Sequence, residues 1–295
     1  HFSPATDSDQ LHQALVELYG QQDAADQAVR YQKALTGLEA AFGPCSQAAL
    51  FSAPGRTEIG GNHTDHQRGR VLAGSVNLDV IAAVAPSGDR MIRIQSEGFP
   101  MDVVDLDDLS IHEEERNSSA AIIRGIAAWF AQHGCEIQGF NAYTTSNVLK
   151  GSGLSSSAAF EVLVANIINS LFNEDKCDAV RLAQIGQYAE NVYFGKPSGL
   201  LDQMASSVGG MVTIDFQDNA NPIVERVDFD FAASGHALCI IDSGADHADL
   251  TDEYAAVTRE LKDICAYFDK SVLREVPEEE FYAALPALRL KAGDR

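Results

Sequence analysis

The chain has 295 residues, 45% of them hydrophobic and 22% charged, a globular composition that excludes a disordered or fibrous protein. Asp and Glu number 43 against 21 Lys and Arg, for a formal net charge of −22. So acidic a surface repels phosphate backbones and anionic lipid, which argues against a nucleic-acid or membrane partner, although a local loop and a metal ion can still hold a small phosphorylated ligand. No apolar run approaches the ~18 residues of a membrane span, and His1-Phe2-Ser3-Pro4 lacks the basic and apolar regions of a secretion signal. Five scattered cysteines without a CxxC pattern suit a reduced, cytoplasmic protein with no structural metal. At this length two domains are expected.

The spacing of Leu11, Leu15 and Leu18 on one face, continued by Tyr31, Leu35, Leu38 and Phe42, predicts a helix over 11–42. Residues 51–66 are Gly-rich and polar and read as a loop. Strands are expected at 71–85, 91–95 and 102–106. A helix follows over 119–133, with Ala120, Ile123, Ile126, Ala127 and Phe130 on one side, then a strand at 140–145. A Gly/Ser loop at 151–157 runs into a helix over 158–172 that is apolar nearly all round and is therefore expected to be buried. Another helix is read over 179–194 with Asp178 as its N-cap. Strands at 211–216, 223–229 and 237–242 precede a helix over 252–268, and the charged stretch 277–295 has no clear end signal. No repeat or low-complexity segment is visible, and the mixture of elements gives an α+β protein.

Three segments can carry chemistry. Gly151 and Gly153 let a backbone approach a ligand without Cβ obstruction. The helix that follows offers free N–H groups and the positive end of its dipole, a natural anion site. Ser155, Ser156 and Ser157 add hydroxyls able to bond phosphate oxygens or ligate Mg²⁺. The same residues also make an ordinary turn with a serine cap. Neither the Gly-Lys-Ser/Thr of a Walker loop nor the third glycine of a dinucleotide fingerprint is present.

The second segment, 55–69, crowds Arg56, Glu58, Asn62, His63, Asp65 and His66 into one stretch. Such density suits a polyhydroxylated ligand; a metal at His63, Asp65 and His66, or a solvated loop, are the alternatives. In the third, Glu190 and Asp202 flank a Gly/Pro turn. An acid on each side can supply a metal ligand and a base, or be one of many solvated carboxylates.

Taken in order, these segments resemble the GHMP kinases, and among them the galactokinase family. Gly151–Ala159 is similar to the family's central motif, and Pro54-Gly55-Arg56 with Gly61-Asn62-His63-Thr64-Asp65 to its sugar signature. Gly195–Gln203 is similar to the segment with the catalytic aspartate, and Asp242-Ser243 with Glu253-Tyr254 to a later one with a sugar-contacting tyrosine. The resemblance implies a two-domain α+β GHMP-kinase fold. A ribosomal protein S5 domain 2-like domain would span 1–194, the start of an incomplete C-terminal domain 195–295, and the active site would lie between them.

It further implies that Asp202 is the catalytic carboxylate facing the sugar C1 hydroxyl. Arg56 would sit beside it, keeping it ionised and stabilising charge on the transferring phosphoryl group. Asn62, His63, Asp65, Gly199 and Tyr254 would bind the sugar. The loop Gly151, Ser152, Gly153, Leu154, Ser155, Ser156 and Ser157 would wrap the ATP phosphates, with Ser157 and Glu190 on Mg²⁺. The implied reaction moves the ATP γ-phosphate to the C1 hydroxyl of α-D-galactose; no obligate protein partner is evident.

Glu58 and Asn62 stand where the family has Asn and Glu, Leu149 where it has Pro, and Ser198 where Cys is frequent. Ser119 and Ile122 stand where some relatives place aromatic residues near adenine. Asn62 keeps open a kinase for N-acetylgalactosamine or arabinose, and a silent galactose and ATP sensor is the reading from another class. The intact Ser155–Ala159 run and Asp202 favour an enzyme. The family carries a third Gly-rich motif far downstream. With only residues 255–295 after Tyr254, a C-terminal truncation that compromises activity is expected.

Overall fold

Strand β2 (Arg70–Pro86) alternates its side chains between two apolar layers. Val80, Ala82 and Val84 face one core, and Ile81, Ala83 and Ala85 face another. The same alternation divides β1 (Ala49–Gly60): Leu50 joins the second core, Phe51 and Ala53 the first. A strand buried on both faces reads as a continuous apolar run, which is why 71–85 is recognisable without periodicity. The computed structural model describes residues 8–45, 47–61, 63–148, 151, 153–231, 233–241 and 251–292, of which the side chains of 8, 251–255 and 290–292 are not described. Asn62, Leu149, Ser152, Asp242, Ser243 and the side chain of Tyr254 thus lie outside the described residues.

The chain forms two compact units, 1–57 with 74–210, and 58–73 with 211–295. The boundary expected at 194/195 falls inside the first of them.

In the first unit, β3 (Met91–Ser96) lies between β4 (Asp102–Asp105), antiparallel, and β5 (Phe140–Ser146), parallel. β5 pairs antiparallel with β2, Val84 opposite Ala142 and Ala82 opposite Thr144. β1 also pairs with β2. One face of this sheet is covered by α1 (Ser8–Phe42) through Leu15, Tyr31 and Leu38. The other face packs on α2 (Ser119–Gln132), α3 (Ser156–Asn173) and α4 (Ala179–Tyr188), with Phe130, Phe140, Ile123 and Leu163 fully buried. Each such side chain contributes about 1.5–3 kcal/mol of apolar burial. Buried amides tie the ends of these helices: Asn173 exchanges two hydrogen bonds with the backbone of Glu136, and Asn169 does the same with Cys177.

Several expectations need correction. Leu18 is exposed, not on the buried face of α1 with Leu15, and Gly20 (φ +83°) breaks the expected continuous helix in two. Residues 51–60, read as a loop, are strand; pairing with β2 overrides the local Gly and Pro content. The helix expected over 179–194 is α only to Tyr188, and Ala189–Phe194 continues as a π-helical turn. No strand occurs at 237–241, where Leu238, Ile240 and Ile241 are exposed instead of sharing a ladder. Helix α5 (Leu201–Val208) was not expected. Asp178 is an N-cap, its carboxylate accepting from Arg181 N at 2.8 Å.

The π turn lies against α2 at Gly125, where a Cβ would come within 2.9 Å of Ala189 Cβ and of the Tyr193 ring. Gly125→Val raises helix propensity yet overfills this contact. It is expected to lower stability by about 1–3 kcal/mol in a denaturant melt; an unchanged midpoint would show that the turn can retreat freely.

In the second unit, β6 (Met211–Asp215) and β7 (Ile223–Arg226) form an antiparallel pair. Helices α6 (Thr251–Tyr267) and α7 (Glu278–Ala292) complete it. Gln67, in a 3-10 turn at Thr64–Gln67, accepts from Leu273 N at 2.9 Å. Arg274, then Arg70, bind Asp215 and hold its carboxyl well below the usual range. Among the described residues no helix is long and apolar enough to cross a membrane.

Candidate active site

Three elements of the first unit converge on Asp202. The end of β1 docks on the loop before α3 through Arg56 N to Leu154 O at 3.0 Å. Gly55 permits this approach, since a Cβ there would lie 2.9 Å from the same carbonyl. Helix α5 docks on β1 through Ser206 Oγ, which donates to Pro54 O at 2.7 Å. Asp202, in the first turn of α5, is thereby set beside Arg56.

Arg56 is buried and fully engaged. Its Nε and Nη2 donate to Asp202 Oδ1 at 2.8 and 2.7 Å, and its Nη1 donates to Gly153 O at 2.6 Å. Side-by-side N–H groups fix the carboxylate in orientation as well as position. Asp202 Oδ2 accepts the Ser155 hydroxyl at 2.6 Å. Its side chain is 27% exposed, so a ligand can reach it, and a carboxylate with these partners still has lone pairs to spare.

The loop at 151–155 takes the conformation glycine allows, with φ of +78° at Gly151 and +74° at Gly153. Ser155, also left-handed at φ +58°, occupies the N-cap of α3 without capping it, because its hydroxyl is committed to Asp202. Ser155 therefore leaves the first turn of α3, whose leading N–H groups have no intrahelical partner, without its side-chain cap, with Ser156 half-buried and Ser157 exposed. That is a positive helix end beside a carboxylate and a guanidinium.

One turn beyond Ser157 lies Glu161, nearly fully buried and the one charged residue of α3. Gln203 Nε2 donates to Glu161 Oε2 at 2.8 Å and to Glu190 Oε2 at 2.9 Å. Glu190, in the π turn, is buried and meets Lys196 Nζ at 3.3 Å. Burial, and then the negative charge of Glu190, push the Glu161 carboxyl well above the ordinary glutamate value. Sequence reasoning missed Glu161 and Gln203. The only available signal was a lone carboxylate one turn after Ser157.

The structure thus brings together Arg56, Gly153, Leu154, Ser155 and Asp202, and a second group around Glu190. Gly199 precedes α5 in the same unit, in no regular element. His63 and Asp65 belong to the second unit. His63 N donates to Glu58 Oε1 at 2.7 Å, and buried Asp65 accepts from His66 N at 3.0 Å. His63 also borders an open cleft of about 690 Å³ with Arg70, Leu273 and Arg274. No cluster of three His, Cys, Asp or Glu fit for a metal occurs among the described residues, so the alternative of a metal at His63, Asp65 and His66 has no support.

Comparison with known proteins gives the same order of segments. Residues 120–210 match the family model of the GHMP kinases N terminal domain, and residues 38–86 that of the galactokinase galactose-binding signature. A galactokinase of Streptomyces coelicolor is 32% identical over 239 residues, covering 81% of this chain and 62% of its own length. One from Lactobacillus helveticus is 36% identical over 172 residues, 57% of this chain and 44% of the relative. This chain therefore spans less than two thirds of these curated relatives. The crystal structure of Lactococcus lactis galactokinase complexed with galactose superposes with a TM-score of 0.69 at 26% identity, over 88% of this chain and 67% of that one. Residues 38–86 and 120–210 thus match the galactokinase galactose-binding signature and the GHMP kinases N terminal domain, and the curated relatives matched at 32–36% identity are galactokinases.

Proposed function

We propose that this protein transfers the γ-phosphoryl group of ATP to the C1 hydroxyl of α-D-galactose, giving α-D-galactose 1-phosphate and ADP. The observation that carries the reading is Asp202, gripped by Arg56 and Ser155 beside the uncapped start of α3. Asp202 receives the proton of the C1 hydroxyl. Arg56 holds Asp202 and supplies fixed positive charge beside the transferring group. The glycine loop and the N–H groups of α3 receive the phosphates, with residues 151–157 around them. His63, Asp65, Gly199, Asn62 and Tyr254 are the residues we assign to the sugar. Transfer of this kind needs little covalent help, so positioning and electrostatics carry the rate.

Ser157 and Glu190 fit Mg²⁺ by their chemistry, because hydroxyl and carboxylate are hard oxygen donors and Mg²⁺ takes few protein ligands beside phosphates. When bound, Mg²⁺ supplies neutralisation of phosphate charge. None of the five cysteines is in a disulfide, which supports a reducing, cytoplasmic setting.

The test is ATP-dependent phosphorylation of a sugar panel by this chain. Galactose is expected to be the substrate, with the phosphate on C1. Binding of galactose and ATP without transfer would replace the enzyme by a sensor. Use of N-acetylgalactosamine or arabinose in place of galactose would reassign the sugar.

A further inference from the structure

We propose that Glu161 is a positioning residue for the reaction proposed above, an uncharged hydrogen-bonding partner that clamps Gln203 and through it orients both Glu190 and Asp202. The inference rests on the proposed roles of those two carboxylates. Gln203 directly follows Asp202, and its single amide nitrogen serves Glu161 and Glu190 at once. That leaves two buried oxygens, Glu161 Oε1 and Gln203 Oε1, with no hydrogen-bond partner among the described residues. With Glu161 ionised both are acceptors, and each orphaned acceptor bears its desolvation penalty uncompensated.

One proton resolves both. A carboxylic acid meeting a primary amide edge to edge makes a closed pair, the acid carbonyl accepting N–H and the acid O–H donating to the amide carbonyl. The first of these bonds is Gln203 Nε2 to Glu161 Oε2; the second joins the two orphans. The surroundings favour the neutral acid, since burial and the nearby Glu190 and Asp202 charges outweigh the Gln203 hydrogen bond and Lys196, which act the other way. Gly186 of α4 is the wall of this pocket. A Cβ there would come within 3.2 Å of Glu161 Oε2 and 3.3 Å of Gln203 Cγ, so the missing side chain lets the pair lie flat. A neutral clamp also leaves the second N–H of Gln203 free to hold Glu190 without adding a negative charge beside it.

The test compares Glu161→Gln with Glu161→Ala in the intact chain. Gln keeps one donor and one acceptor and can form the same closed pair; Ala removes both. Glu161→Gln is expected to hold kcat within about threefold of wild type. Glu161→Ala is expected to lose on the order of 10–100-fold in kcat with the KM values for galactose and ATP little changed, as misplacement of catalytic groups does. Loss of activity in Glu161→Gln equal to that in Glu161→Ala would overturn the proposal, because charge would then be what matters. Full activity in Glu161→Ala would overturn it too.

A second readout does not depend on activity or on the folding of the alanine variant. The infrared difference between wild type and Glu161→Gln at neutral pH is expected to contain the carbonyl band of a protonated carboxyl group, and its absence overturns the clamp. A protein that shows the band but phosphorylates no sugar overturns the proposed function and leaves the clamp standing.

Discussion

Asp202→Asn is expected to lower kcat by about 10²–10⁴-fold while leaving galactose and ATP binding nearly intact. The substitution keeps the shape of the side chain. An amide oxygen at Oδ1 can still accept from Arg56 Nε and Nη2, and Ser155 Oγ can accept from the new amide nitrogen instead of donating to Oδ2. What disappears is the group able to take the proton of the sugar C1 hydroxyl. Asp202→Ala is the poorer probe, because it leaves the buried guanidinium of Arg56 without its carboxylate and mixes a folding defect with a chemical one. Steady-state kinetics beside calorimetric binding of each substrate separate the two contributions. A variant retaining more than about a tenth of the wild-type kcat would remove Asp202 from the proton-accepting role, since positioned acid–base groups are worth at least 10²-fold. Ser155→Ala supplies a graded control, as it deletes the hydroxyl at 2.6 Å and leaves the carboxylate in place.

Much of the frame can be read from residue pattern alone. The apolar run at 71–85 and the stripe Ala120, Ile123, Ile126, Ala127 and Phe130 become β2 and α2 with small changes at their ends. The apolar circumference of 158–172 becomes a buried α3. These are cases in which burial sets both pattern and structure. The segment 51–60 fails for the opposite reason. Its glycines and proline favour a loop locally, and only pairing with β2, which no local pattern in 51–60 signals, makes it strand. Residues 237–241 fail in mirror image, apolar enough for a strand yet without a ladder.

The candidate site divides in the same way. Arg56, Asp202 and Ser155 were legible as members of motifs. That the Ser155 hydroxyl serves Asp202 and not its own helix was not, because one loop conformation decides between two good partners. Glu161 and Gln203 were invisible. A single carboxylate in a largely apolar helix carries no pattern, and its meaning depends on an amide 42 residues later in the chain, at 2.8 Å.

Asp79→Ala is expected to be the most damaging single change to stability away from the site, at about 3–5 kcal/mol, the usual cost of stripping one partner from a buried ion pair. Asp79 lies on β2 between the two cores, with its side chain only 3% exposed, under α1. Its Oδ1 accepts Arg30 Nη1 at 2.5 Å, and its backbone carbonyl accepts Arg30 Nη2 at 2.9 Å. Its Oδ2 accepts the hydroxyls of Tyr19 and Ser52. Tyr19 and Tyr31 bond each other at 3.0 Å. Burial, followed by the negative charge of Asp79, pushes the Tyr31 phenol up to about 12, and burial raises Tyr19 as well, so both remain neutral donors at working pH.

The carboxylate is the hub that satisfies one cation and two hydroxyls at the junction of α1 with the sheet. Removing it leaves all three beneath the helix, against a total stability of only about 5–15 kcal/mol for an ordinary domain. Such a pair can be replaced more cheaply than it can be broken. Asp79→Leu with Arg30→Met removes both charges and keeps volume, so the double variant is expected to regain most of the loss. The residual deficit is expected near 1–3 kcal/mol, from the hydroxyls left behind. Chemical denaturation of the two single variants and the double completes the cycle. A single-variant loss below about 1 kcal/mol would mean that α1 shifts and admits water to Arg30. A double variant no better than Asp79→Ala would place the cost in the hydroxyls and not in the unpaired guanidinium.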